Sequence, residues 1–394
     1  MAKDLALYIH VPFCVQRCNY CDFCSSTELE LIESYFAKLN KDISLYSKTV
    51  QRPVSSIYFG GGTPSLAAQH LIASLDTVRE NFTLSADCEI TLEANPESFS
   101  AKNARALAAA GFTRVSIGVQ SFNEEMLILL GRAHSADSAW SALRAAQDAG
   151  LRTSFDLMLG LTTPLEKLMS KEQWDRLLST VDHVSAYPLT VEEGTALEKM
   201  ENVGAFNQVS EGEMAAEVIY LEKLLADYGL KRYEISSYAR LGQESRQNQT
   251  YWFGGDYLGF GVSAASMCNQ SDGKRKRFVV YDRMEDFLGD TEGQQWKQSD
   301  FAEQDILTAD EAQREDVMLA LRTSRGISAG AVAAAGLTLV CDELIEKGLL
   351  ELHQPIHQSI HQPKRTAEEV HYRCTQQGWL LANMVFAAVW FPSG

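Results

Sequence analysis

No stretch of the 394-residue sequence stays apolar for the roughly 20 residues that a membrane-spanning helix needs. The longest candidates, Ile327 to Cys341 and Trp379 to Phe391, fall short, and the first is mostly Ala and Gly. A membrane span is therefore not expected. Positive charge is also scarce: 35 Lys and Arg against 52 Asp and Glu leave a net charge of -17, which repels phosphate backbones and anionic lipid at long range. Nucleic acid drops out as a default partner. The first ten residues, Met1 to His10, lack a basic region followed by an apolar core and a small-residue cleavage site. No secretory signal is read, and a cytoplasmic location is expected.

What is present is globular. Hydrophobic residues make up 45% and charged residues 22%, far from the profile of disorder. The length exceeds the roughly 250–300 residues at which one core stops growing, so two domains or a large barrel with an appendage are expected. Six β-rich runs stand out: Leu5 to Val11, Val54 to Gly60, Cys88 to Ala94, Thr113 to Gln120, Arg152 to Leu159 and Val184 to Thr190. Between them Ile32 to Leu45, Ala67 to Arg79, Ala101 to Ala109, Ser138 to Ala149 and Lys171 to Leu178 carry apolar residues at helical spacing, with Gly111 and Gly150 placed as terminators. The alternation predicts an α/β fold, a partial TIM-like (β/α)6 barrel over 1–235, with a full eight-unit barrel as the alternative.

Residues 236–300 mix aromatics, Gly254-Gly255 and an Asp272-Gly273 turn, and read as a lateral extension with a β-hairpin. Residues 301–394 turn mostly helical and winged-helix-like. Their 7 basic against 12 acidic residues argue against DNA. The repeat His353-Gln-Pro-Ile-His357-Gln-Ser-Ile-His361 could hold a metal, but Pro355 and Pro363 break the helix that would stack the imidazoles. A flexible wing loop is expected.

Chemistry concentrates after the first strand, in Cys14-Val-Gln-Arg-Cys18-Asn-Tyr-Cys21. Three thiolates this close wrap one compact object. Zinc wants four ligands, and Cys24 is the only local fourth. A cubane iron-sulfur cluster on three thiolates leaves one iron open. Open-iron cluster, a cluster or zinc closed by Cys24, and structural cysteines all remain readings of these residues alone. Further candidates fall at strand ends: Gly60-Gly61-Gly62-Thr63, Glu93, Gln120 and Asp156, with Arg132 following Gln120. Each is weak alone; together they mark a barrel mouth.

Tyr8-Ile-His10-Val-Pro-Phe-Cys14 followed by CxxxCxxC resembles the radical S-adenosylmethionine (SAM) enzymes, and within them the oxygen-independent coproporphyrinogen III oxidase group. The resemblance covers nearly the whole chain. It implies a 4Fe-4S cluster on Cys14, Cys18 and Cys21, with the open iron binding the methionine moiety of SAM. Electron transfer then cleaves a C–S bond to a 5'-deoxyadenosyl radical. It further implies SAM contacts from Tyr8, Gly62, Thr63, Glu93, Gln120, Arg132 and Asp156, with Tyr20 near the adenine, and an electron donor such as flavodoxin or ferredoxin. It names no catalytic residue. His10 shares a strand face with Tyr8 and reads as a hydrogen-bonded barrel histidine.

The 13 residues before Cys14 and Phe23 in Cys21-Asp-Phe23-Cys24 resemble the heme chaperone HemW branch, which implies heme or a porphyrin as ligand and a heme-acceptor protein as partner. Two departures concern heme. Gln247-Asn248-Gln-Thr-Tyr251-Trp252 and Ser263-Ala264-Ala265 carry Gln247 and Ala265 where the family pattern has histidines, and an amide does not replace an imidazole as axial ligand. The basic run Lys274 to Arg277 is read as a solvated hairpin end, with heme propionates as the alternative partner. A heme chaperone, a tetrapyrrole-decarboxylating oxidase and a radical enzyme with another substrate are the functions that follow.

Overall fold

The structure is a computed structural model describing residues 5–50, 52–298, 301–354 and 370–391. Six strands, β1 (Leu5–Val11), β2 (Val54–Gly61), β3 (Leu84–Ala94), β4 (Arg114–Gln120), β5 (Arg152–Leu159) and β6 (His183–Pro188), run parallel in sequence order. They are joined by α1 (Ile32–Tyr46), α2 (Ala68–Asn81), α3 (Ala101–Ala109), α4 (Glu124–Leu129), α5 (Ala136–Asp148) and α6 (Lys171–Leu178). The expected α/β fold, a partial (β/α)6 barrel, is thus present.

Its strands alternate in polarity. Leu7, Ile9, Ile57, Phe59, Leu92 and Phe155 turn outward into the main core beneath the helices. Tyr8, Tyr58, Glu93, Ser116 and Asp156 take the other face. Parallel strands covered by helices on both faces read as unbroken apolar runs. Alternation here means that the inner face lines a polar lumen.

After α7 (Ala196–Asn202) and the 17-residue α8 (Glu211–Asp227), β7 (Lys231–Glu234) and β8 (Ser237–Ala239) extend the sheet beyond β6. Helix α9 (Arg246–Trp252) follows, and β9 (Tyr257–Phe260) then pairs in parallel with the free edge of β1. Next come β10 (Ala265–Asn269), β11 (Arg275–Val279), the short α10 (Met284–Gly289) and α11 (Gln294–Gln298), and β12 (Glu303–Leu307). Among the described residues these twelve strands form one sheet, so residues just past 301 still belong to it. Strands β10 and β11 are the two arms of a hairpin around Asp272-Gly273, where Gly273 has φ +85°, a region glycine enters without a Cβ clash.

The last module comprises α12 (Ala309–Ala320), β13 (Ile327–Ser328), α13 (Ala329–Ala334), α14 (Thr338–Glu346), β14 (Leu350–His353), β15 (His371–Cys374), α15 (Gln376–Leu380) and α16 (Ala382–Trp390). Its three-stranded sheet, ordered β13-β15-β14, and its own core around Val317, Leu344 and Phe386 give the winged-helix-like form. His353 and His371 both bond the Arg325 carbonyl, at 2.9 and 3.1 Å. Pro355, His357, His361 and Pro363 lie outside the described residues. No described helix is long and apolar enough to cross a membrane.

The basic run is a solvated hairpin end only at Lys274, which is exposed beside Asp272; the residues after it are engaged by the protein. Arg275 is 2% exposed and pairs with Glu315 and Asp316, and Arg277 also reaches Glu315. Lys276 lies over the Phe301 ring at 4.6 Å, and Lys274 pairs with Asp272. Buried arginines need carboxylate partners, and α12 supplies them, so the run joins the hairpin to the C-terminal module.

Candidate functional site

The cysteine loop leaves the end of β1 and is pinned at its base. Cys14 N donates to Ser26 O (2.9 Å) and Ser26 N to Pro12 O (2.7 Å). Asn19 fastens the middle: its backbone N–H reaches Leu130 O, its side-chain amide reaches Leu129 O (2.8 Å), and its carbonyl accepts from Leu197 N. Gln16 donates to Gly131 O at 2.8 Å. The loop is therefore held from α4 on one side and α7 on the other. Cys14, Cys18 and Cys21 are part-buried, whereas Cys24 is exposed. Among the described residues no three His, Cys, Asp or Glu side chains converge on a single-ion position.

The glycine run fits against this loop. Gly62 N donates to Val11 O and Thr63 N to Phe13 O, both at 2.8 Å. A Cβ on Gly62 would lie 2.8 Å from Phe13 O and 3.0 Å from Cys14 Sγ, so only glycine lets the two loops close. Two side chains then address the sulfurs. Thr63 Oγ1 lies 3.6 Å from Cys14 Sγ, and Arg132 Nη1 lies 3.3 Å from Cys18 Sγ and 3.4 Å from Tyr20 Oη. Burial pushes the Cys14 and Cys21 thiols up from their ordinary values, and the Thr63 bond acts against this on Cys14. Tyr20 also packs against an apolar cluster containing Met126, Leu130, Met158 and Leu197.

Deeper in the lumen, Glu93 accepts from Tyr58 Oη (2.7 Å) and from Gly61 N (3.0 Å). Asp156 accepts from Ser116 Oγ at 2.9 Å and pairs in register with Ser185; it stands three residues before the end of β5, deeper than the strand-end position expected. Burial pushes Glu93 up to about 7, with the Tyr58 bond opposing and Asp156 adding to the rise. Burial likewise lifts Asp156 to about 6, against the Ser116 and Ser185 bonds. Gln120 closes β4 at φ +63°, an uncommon conformation for a residue with a Cβ, and its amide nitrogen lies 3.4 Å from a Cβ position at Gly118. Tyr8 Oη is 2.9 Å from His10 Nδ1. The structure thus brings Cys14, Cys18, Tyr20, Gly62, Thr63 and Arg132 into one contact set, with Tyr8, Glu93 and Asp156 below it.

Sequence reasoning missed Asn95. Its amide joins Arg132 Nη2 (2.6 Å) to Thr63 Oγ1 (2.9 Å). An asparagine before a proline reads as a turn residue, and nothing local announces partners 32 and 37 positions away.

Of the two positions that depart from the family's histidines, Gln247 is 1% exposed and fully used, bonding Ser56 Oγ and Tyr251 Oη at 2.8 Å each. Ala265 is exposed at the start of β10.

A model of the radical SAM superfamily matches residues 8–174. The heme chaperone HemW of Bacillus subtilis is 32% identical over 400 residues, covering 97% of this chain and 98% of its own. Heme chaperone HemW of Mycobacterium tuberculosis H37Rv is 32% identical over 89% of this chain and 90% of its own. The bovine mitochondrial radical S-adenosyl methionine domain-containing protein 1 is 41% identical over 272 residues, and the chain spans 60% of that relative's length. Among solved structures, the Escherichia coli radical SAM coproporphyrinogen III oxidase HemN covers 99% of this chain and 91% of its own at TM-score 0.78 and 22% identity, which shows the shared fold. Because identity to the bacterial chaperones is sustained over nearly the whole of both chains, this chain belongs to the heme chaperone HemW family of the radical SAM superfamily.

Proposed function

We propose that the protein handles heme as cargo for an acceptor protein, on a core built to hold a 4Fe-4S cluster and SAM. Cys14, Cys18 and Cys21 would ligate the cluster, and Tyr8, Tyr20, Gly62, Thr63, Glu93, Gln120, Arg132 and Asp156 would surround SAM. The observation that carries the cofactor reading is the direction of the donors: Thr63 and Arg132 both aim at cysteine sulfurs, and Arg132 Nε is buried without any partner. A buried N–H without an acceptor is costly, and a carboxylate such as that of a methionine moiety would satisfy it. When bound, the cluster and SAM together supply one-electron reductive cleavage of a carbon–sulfur bond.

The chain's own part is positional. The Gly62 contact sets the distance between the two loops, and the Asn19 bonds hold the cysteines at the mouth. Glu93 near 7 and Asp156 near 6 can each hold or release a proton close to neutral pH within the lumen. Residues 1–235 would form this core, 236–307 its lateral extension including β12, and 308–394 the C-terminal module. A flavodoxin- or ferredoxin-like donor would supply electrons.

Heme handling is supported by the relatives' identity over the full chain. The test is anaerobic reconstitution followed by heme titration and a coproporphyrinogen III assay on one sample. A shifted Soret band with no protoporphyrinogen IX formed supports the chaperone reading. Conversion of coproporphyrinogen would make the protein an oxidase, and neither result would favour a radical enzyme with another substrate.

A further inference from the structure

We infer that Asn95 is a positioning residue that sets the reduction potential of the cluster, by aiming one donor at Cys14 and another at Cys18. The inference rests on the proposed three-thiolate cluster and concerns how this chain tunes it.

The bonds around Asn95 admit one arrangement. A guanidinium only donates, so the atom 2.6 Å from Arg132 Nη2 is the amide oxygen, and the nitrogen must face Thr63 Oγ1 at 2.9 Å. The Thr63 hydroxyl accepts that bond, which turns its own proton toward Cys14 Sγ, 3.6 Å away. On the other side, Nη2 of Arg132 spends both protons, one on Asn95 Oδ1 and one on Gly118 O at 2.6 Å. Nη1 is thereby left to face Cys18 Sγ at 3.3 Å. One amide thus orients an O–H···S and an N–H···S contact on two different cysteines.

The frame that holds Asn95 is tight. Its backbone N–H reaches Ser65 Oγ (3.3 Å), its carbonyl accepts from Ser98 N (3.0 Å), and Pro96 follows. A Cβ on Gly118 would fall 2.8 Å from Asn95 Oδ1 and 3.3 Å from Arg132 Nη2, so glycine at 118 makes room for the pair.

The chemistry of the acceptor matters as much as its place. Among the described residues the acceptors of Arg132 are an amide, a backbone carbonyl, a phenol and a sulfur, none of them a carboxylate. Asn95 therefore fixes the guanidinium without neutralising it. Hydrogen bonds to ligand sulfurs and a nearby positive charge both favour the electron-richer reduced cluster, so both raise the potential. An aspartate at this position would keep the Arg132 bond and cancel the charge, and, being an acceptor only, it would draw the Thr63 proton away from Cys14.

The test is potentiometric titration of the reconstituted full chain, without SAM, followed by electron paramagnetic resonance. At the potential where half of the native cluster is reduced, Arg132→Gln should lower the ratio of reduced to oxidised cluster about tenfold, equivalent to 59 mV for a one-electron couple. Thr63→Val should lower it less, and Asn95→Ala, which leaves the guanidinium charge in place, should lower it by no more than Thr63→Val/Arg132→Gln does. Because Asn95 acts through the other two, adding Asn95→Ala to Thr63→Val/Arg132→Gln should change nothing further. Asn95→Asp should also move the potential down, and it retains the Arg132 bond should the alanine variant assemble poorly. Full iron content with unmoved potentials in Arg132→Gln and Asn95→Asp overturns the inference, as does an Asn95→Ala shift that persists in the double-variant background. A native protein that takes up no cluster overturns the three-thiolate reading itself, and the two failures are told apart by iron and sulfide content.

Discussion

The imidazole of His10 stands 3.0 Å from the backbone carbonyl of Cys24, tying the far end of the cysteine loop back to the strand it leaves. A carbonyl only accepts, so Nε2 carries the proton and Nδ1 accepts from Tyr8 Oη at 2.9 Å. Burial lowers the pKa of His10, which favours this neutral form. The interaction uses the Cys24 backbone and leaves its thiol exposed.

Cys24→Ala should therefore retain the cluster, with iron and sulfide near about four each per chain. Alanine at Cys14, Cys18 or Cys21 should abolish it. Iron and sulfide analysis after anaerobic reconstitution decides the matter, and loss of the cluster in Cys24→Ala alone would make Cys24 a ligand.

SAM added to the reduced, reconstituted protein should alter the electron paramagnetic resonance signal, because the proposed open iron gains ligands. Glu93→Gln should weaken this response, since it removes a lumen carboxylate that already organises Tyr58 and Gly61. Identical spectra with and without saturating SAM would remove the cofactor from the reading.

Stability should fall as pH rises from about 4 to 7. Glu93 and Asp156 are raised to about 7 and about 6 by burial, so between their ordinary values and these the folded chain holds protons that the unfolded chain has released. The contribution is complete at the acid end and lost above the raised values. Asp156→Asn should thus gain roughly 1 kcal/mol over the native protein at pH 8 and nothing at pH 4, a figure discounted for water in the lumen. Urea denaturation at the two pH values checks it, and an equal gain at both would point to packing instead.

Gln247→His should leave the heme titration unchanged within about twofold. Affinity follows the interaction free energy exponentially, so a residue that gains no contact with heme leaves it unchanged, and the side chain at 247 is 1% exposed with both amide atoms engaged by Ser56 and Tyr251. Sequence alone suggests the opposite, a stronger axial bond. A tighter complex with a shifted Soret band would show that α9 moves to admit heme.

Local pattern made the six-unit barrel legible. Branched and aromatic residues recur on the outward face of β1 to β5, and Gly111 and Gly150 end the helices that precede β4 and β5 at positive φ. Helix α8 is not legible in the sequence although Ser210 and Glu213 form a capping box at its start, because only Leu221 and Leu225 of its length are buried and its apolar stripe is faint. The cysteine motif was equally legible. Pairings at long sequence separation were not: Arg275 depends on Glu315 and Asp316, and Asn95 depends on Thr63 and Arg132. Each of these residues is locally unremarkable, and its role exists only once the chain has brought the partners together.

The pairing of β1 with β9 also bears on how the chain is made. Ala6 and Tyr257 are in register, yet about 250 residues separate them, so a ribosome working at about 5–20 residues per second delivers the second strand on the order of 10–50 s after the first. Throughout that interval the nascent β1, whose Leu5, Leu7 and Ile9 are fully buried in the finished protein, has one edge without its mate. An open apolar edge is a template for the wrong strand. The closing of that edge is thus delayed by chain order itself, and newly synthesised molecules should depend on holdase chaperones more than refolding of the complete chain does.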